Sequence, residues 1–117
     1  MKPLITLIAT LCATTSLASD VEIVNVQATQ SSGTWRFDVT LRHADSGWEH
    51  YADGWEVLAA DGTSLGLRVL AHPHVNEQPF TRSLGGVLIP EGTTEVTIRA
   101  RDNVDGWTAE TYTFTLP

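Results

Sequence analysis

Thr34-Trp35-Arg36-Phe37-Asp38-Val39-Thr40-Leu41-Arg42 decides the fold. Trp35, Phe37, Val39 and Leu41 alternate strictly with Arg36, Asp38, Thr40 and Arg42. This is the pattern of a β-strand with one face on a core and the other in water. The same period of two recurs on both sides. Upstream, Val21-Glu22-Ile23-Val24-Asn25-Val26 reads as a first strand. Downstream, Trp55, Val57 and Ala59 form the apolar side of a third, and Asp61-Gly62 signals a tight turn before Leu65, Leu67 and Val69. Phe80 to Ile89 makes a fifth, in which Gly85-Gly86 marks a bulge or a close approach of backbones. Val96, Ile98 and Ala100 mark a sixth, and Tyr112, Phe114 and Leu116 the last.

No segment carries a convincing helical period. Seven short strands with regularly spaced turns predict an all-β fold, an antiparallel β-sandwich of immunoglobulin-like or fibronectin-III-like architecture. The Cys…Trp…Cys spacing of true immunoglobulin domains is absent, so the label describes architecture alone. A small closed barrel is the main competing arrangement.

Residues 1–18 read as an address rather than as structure. Lys2 supplies a short positive region, Leu4 to Leu11 an apolar run, and Ser16-Leu17-Ala18 the small-x-small pattern that precedes a cleavage site. The expected mature chain is a single domain over 19–117, in the periplasm or secreted. The apolar run falls far short of the roughly 20 residues that span a bilayer, so membrane insertion is not expected. Cys12 follows Leu11 rather than a small residue, which argues against its being a lipidated first residue. Beyond position 18 the chain has neither Cys nor Met, which leaves no disulfide, thiolate or thioether.

The whole chain carries 14 Asp and Glu against 7 Lys and Arg, a formal charge of −7. Lys2 is the only lysine, so losing the leader makes the surface more acidic still. Such a charge repels phosphate backbones and excludes nucleic acid as a partner, whereas it suits cations.

If the strands run antiparallel in order, alternate connections gather at opposite ends. One end receives 29–33, 60–63 and 90–93, all short turns. The other receives 43–54, 71–79 and 102–108, which hold all four histidines together with Trp48, Tyr51 and Trp107. A rigid sandwich presents a site on its loops in this way.

His43, His50, His72 and His74 are therefore the expected metal ligands, for one Cu²⁺ or Zn²⁺ ion, because imidazole suits both. His72-Pro73-His74 places two rings on the same side of an extended segment. Glu77 is the preferred supporting carboxylate, as ligand or as the acceptor that orients an imidazole N–H. Asp45, Glu49, Asp53, Asp102 and Asp105 are also at hand. Each histidine has a plainer reading: His43 continues the inward parity of Trp35 to Leu41 and caps the core, and the others are polar loop residues. Asp102-Asn103-Val104-Asp105-Gly106 lacks the EF-hand spacing and reads as a polar turn rather than a calcium loop.

Trp48, Tyr51 and Trp107 carry the competing expectation, an aromatic surface for a glycan or another exported protein, with no metal. Trp55 belongs to the core by its parity. Arg82 is placed to pair with Glu77 or Asp38. No phosphate-binding loop or nucleophile elbow is present. Metal-assisted hydrolysis would require an open coordination position and a base such as Glu77, so binding is expected rather than turnover.

Over His43-Ala44-Asp45-Ser46-Gly47-Trp48-Glu49-His50-Tyr51-Ala52-Asp53 and His72-Pro73-His74-Val75-Asn76-Glu77-Gln78-Pro79-Phe80-Thr81-Arg82-Ser83 the chain resembles a small group of uncharacterised bacterial exported proteins. That resemblance directs attention to the two histidine loops and implies no activity, ligand set or mechanism.

Overall fold

The computed structural model describes Pro3 and residues 18–117. The leader expected over 1–18, with Cys12, lies outside the described residues except at Pro3 and Ala18.

Alternation produces the strands where it was read. The chain runs β1 (Glu22–Ser31), β2 (Thr34–Arg42), β3 (Ala52–Leu58), β4 (Ser64–Val69), β5 (Phe80–Val87), β6 (Glu95–Asp102), β7 (Gly106–Trp107) and β8 (Tyr112–Thr115). One sheet has the order β1-β2-β5; the other runs β4-β3-β6, and β7 and β8 both pair with β6. Every pairing between strands is antiparallel. The two sheets form a β-sandwich.

β7 and β8 account for the eighth strand. Both lie antiparallel to β6, with Trp107 opposite Arg101 and Thr115 opposite Glu95. They are one edge strand interrupted at 108–111, where Thr108 still donates its N–H to the Ala100 carbonyl at 2.8 Å.

The core is the sum of the inward rows. Phe37, Val39 and Leu41 of β2 face Trp55 and Val57 of β3 and Val96, Ile98 and Ala100 of β6, all essentially without exposed surface. Close packing of this kind makes each side chain costly to truncate, by about 3–5 kcal/mol for a phenylalanine. Gly85-Gly86 forms the expected bulge: the register with β2 slips between the Trp35–Val87 and Phe37–Leu84 pairs, and Gly86 takes φ 67°.

The turns divide between the two ends as the antiparallel order requires. Ala59 to Asp61 face Gly92 to Glu95 at one end. The connections 43–51, 70–79 and 103–105 meet at the other, where the segment leading into β1 also arrives.

Candidate metal centre

His43 and Asp102 reach this end by the same rule. Each is the next inward position after the apolar row of its strand, Trp35 to Leu41 in one sheet and Val96 to Ala100 in the other. Both side chains are almost wholly buried, at 2% and 0% exposure. Nε2 of His43 lies 3.9 Å from Oδ2 of Asp102.

His50 completes the group from the connection between β2 and β3. Its backbone is held by a tight turn, with His50 N–H donating to the Gly47 carbonyl at 3.2 Å and Ser46 N–H to the His50 carbonyl at 3.0 Å. Gly47 takes φ 143°, a conformation a side chain would strain. Asn103 ties the turn to the end of β6, its Oδ1 accepting from Tyr51 N–H at 2.8 Å and its Nδ2 donating to the Trp48 carbonyl at 3.0 Å. The His50 ring stands edge-on to that of His43, with centroids 4.9 Å apart. Its Nε2 lies 3.4 Å from Oδ1 of Asp102 and 3.7 Å from Oδ2 of Asp105.

One ligand atom from each of His43, His50 and Asp102 lies within 4.8 Å of the others, so the three could coordinate a metal ion. Two of their polar atoms lack a hydrogen bond. Nε2 of His50 and Oδ2 of Asp102 are buried without a hydrogen-bond partner among the described residues. Buried orphans of this kind cost about 1–3 kcal/mol each and call for an ion or water between them.

Asp45 sets the orientation of His43. Its Oδ1 lies 2.6 Å from His43 Nδ1, and because an ionised carboxylate only accepts, the ring hydrogen belongs on Nδ1. Nε2 is the ring nitrogen that faces Asp102. The same carboxylate accepts from Ala52 N–H at 2.9 Å and from His74 N–H at 2.8 Å. A carboxylate behind an imidazole is the usual partner of a metal-binding histidine.

Charge at this end is unbalanced. Asp20, Asp45, Asp102 and Asp105 converge, and among the described residues their only partners of potentially positive charge within 4 Å are His43 and His50. Burial opposes the charge on Asp102. The N–H of Asp105, the nearby Ser19 hydroxyl, the N–H of Val104 and the His50 ring outweigh it and hold the carboxyl below its usual range.

His72, His74 and Glu77 form a second group, around Arg82. The His72 and His74 rings are tilted against each other with centroids 4.6 Å apart, and His74 stacks on Phe80 at 4.0 Å. Arg82 donates from Nη2 to His74 Nε2 at 2.8 Å and from Nη1 to Glu77 Oε1 at 3.0 Å, which realises one of its two expected pairings. Asp38 takes Arg36 instead, at 3.1 Å. Burial, and then the Arg82 charge, hold the His74 ring below its ordinary value. The two groups are joined through Asp45 and through Gln78, whose Oε1 accepts from His43 N–H and whose Nε2 donates to the His74 carbonyl, both at 3.0 Å.

Asp102 was legible only as one nearby carboxylate of a polar turn. That turn exists, with Oδ1 accepting from Val104 and Asp105 N–H and Gly106 at φ 77°. The parity of Val96, Ile98 and Ala100 is the signal that singles it out.

The aromatic residues separate. Trp48 is 66% exposed and stands edge-on to Tyr51, centroids 5.6 Å apart. Trp107 lies beneath two guanidinium groups, Arg99 at 3.9 Å and Arg101 at 5.2 Å from its ring. Trp55 is fully buried, as its parity required.

Among known proteins, the chain is 40% identical over 89 residues to a protein described as a lipoprotein from the archaeon Halomicrobium mukohataei, a match covering 75% of this chain and 43% of that relative. The chain thus spans less than half the length of the relative. No family model and no solved structure matches. Among the described residues, no helix is long and apolar enough to cross a membrane.

Proposed function

We propose that the protein is an exported module that captures one divalent cation, Zn²⁺ or Cu²⁺, through His43, His50 and Asp102, with Asp45 orienting His43. The observation that carries this reading is the pair of buried, partnerless atoms, His50 Nε2 and Asp102 Oδ2, converging with His43 Nε2. Two imidazoles and a carboxylate suit a borderline ion, and zinc in particular. The uncompensated acids favour a cation over any anionic ligand.

His72, His74 and Glu77 have a different part in this reading. With the Arg82 guanidinium on His74 Nε2, a cation there meets like charge. These residues brace the second loop, and through Asp45 they hold the centre in place. Capture, storage or delivery fits the arrangement better than turnover. Export is supported by the leader pattern at 1–18 and by the relative's description as a lipoprotein.

Native mass spectrometry of the chain purified without a polyhistidine tag, after chelation and then with zinc or copper, tests this. One ion bound per chain, lost in His50→Ala and in Asp102→Asn, is expected. A chain still metal-free at tens of micromolar ion overturns the reading.

A second reading rests on Trp48, whose exposed ring beside Tyr51 favours a partner protein or glycan at the same end. Under it, Trp48→Ala abolishes partner capture while His50→Ala leaves it intact.

A further inference from the structure

We propose that Asp20 is a fourth ligand of this centre, delivered by a strap formed by Ser19, Asp20 and Val21 that closes over the ion. The inference rests on the metal reading above and adds to it a ligand from outside the two histidine loops.

Asp20 has an unusual position for a surface residue. Its side chain is 81% exposed, yet Oδ1 lies 3.0 Å from Nε2 of the buried His43. The other nitrogen of that ring, Nδ1, is taken by Asp45. Nε2 and this carboxylate oxygen are both atoms that can ligate an ion. An ion taking the place of a hydrogen on Nε2 would meet both atoms.

The backbone on either side is pinned. Ser19 is buried, donates its N–H to the Trp107 carbonyl at 3.4 Å and bridges to Thr108. Val21 is buried in the core and donates its N–H to Ser19 Oγ at 3.2 Å. Asp20 is thus the exposed link between two anchored residues, with one carboxylate oxygen against His43 at the rim of the centre.

The spacing of the donor atoms suits one small ion. Ligands about 2.0–2.1 Å from a tetrahedral zinc stand roughly 3.3 Å from one another. The separations here are 3.0 Å for Asp20 and His43, 3.4 Å for His50 and Asp102, and 3.9 Å for His43 and Asp102. Asp20 stands against His43 alone and outside the group of His43, His50 and Asp102, so closure of the strap must carry its carboxylate toward the other two.

The resulting shell is two imidazoles and two carboxylates. A site with four protein ligands is closed, whereas catalytic zinc keeps a position for water or substrate. The donor set therefore assigns the centre to holding an ion, and it couples uptake to the docking of the strap against β7.

Zinc titration against a chromophoric chelator, with the untagged chain and its Asp20→Asn, Asp105→Asn and His50→Ala variants, tests the assignment. Asp20→Asn should weaken zinc binding at least about tenfold with the melting temperature of the chelated protein unchanged. In the unmutated chain, zinc should also slow amide exchange at Asp20 and Val21. If Asp20→Asn binds zinc as tightly as the unmutated chain while His50→Ala does not bind, the strap is excluded and the three-residue centre stands. A loss confined to Asp105→Asn would likewise overturn the assignment in favour of Asp105. If the unmutated chain takes up no zinc, the underlying metal reading fails with it.

Discussion

His43, just past β2, and Asp102, at the end of β6, each continue an inward-facing apolar row with a polar side chain, and the two meet at 3.9 Å where the core ends. The cluster is therefore an extension of the core's own alternation, with polar atoms that could hold an ion placed where the next apolar contact would have been.

Asp45 is the residue on which this placement depends most. It accepts from His43 Nδ1, Ala52 N–H and His74 N–H while fully buried. Asp45→Ala leaves those donors without a partner, at about 1–3 kcal/mol for each buried group left unsatisfied. We expect a clearly lower denaturation midpoint in urea and zinc binding weakened by about 10–100-fold. Asp45→Asn keeps one acceptor oxygen and should recover part of the stability. Equal midpoints for all three proteins would remove Asp45 from this role.

Ion binding should register as stability. A ligand at 100 times its dissociation constant adds about 2.7 kcal/mol. For a domain of this size that raises the melting temperature on the order of 10 °C. Scanning calorimetry with zinc and then with chelator should show the rise and its reversal, and His50→Ala should show neither.

His74 gives a pH dependence of known sign. Its folded value lies below the ordinary 6.5, through burial first and Arg82 second. The unfolded chain therefore binds more protons in this window. The stability contributed is complete above about 6.5 and is lost as pH falls through the lower folded value. His74→Phe keeps a ring on Phe80 and removes the titration. With chelator present, the difference in melting temperature between the two proteins should shrink as pH falls from 7.5 to 5, and a constant difference would contradict it.

Trp48 and Trp107 should respond in opposite ways to truncation. Trp48→Ala removes an exposed ring and should change stability by no more than about 0.5 kcal/mol. Trp107→Ala takes away the surface on which Arg99 and Arg101 lie, with a cost of at least about 0.5–1 kcal/mol. Urea denaturation of the two variants distinguishes them.

Alternation made most of the fold legible. Trp35 to Leu41 and Val96 to Ala100 point the way their parity demands, and the Gly85-Gly86 bulge falls where two glycines interrupt a strand. The break between β7 and β8 was hidden, because Thr108 continues the pairing after a strand of only two residues. At the site, the histidine loops were legible from their gathering at one end. The partners within them were not, because they are set by contacts distant in sequence. His74 is drawn to Arg82, and the carboxylate beside His43 and His50 comes from the end of β6. Asp20 was hidden too, since nothing local distinguishes an acid at the start of a first strand.

The position of the centre also bears on how the molecule comes apart. His43 directly follows a strand of one sheet and Asp102 ends a strand of the other, so an ion shared between them would act as a rivet across the layer boundary, at the end where the loops leave the core. Prying the layers apart from that end would first require the ion to depart. The bound protein should then resist unfolding over time, and outlast protease attack, by a margin set by how fast the ion leaves.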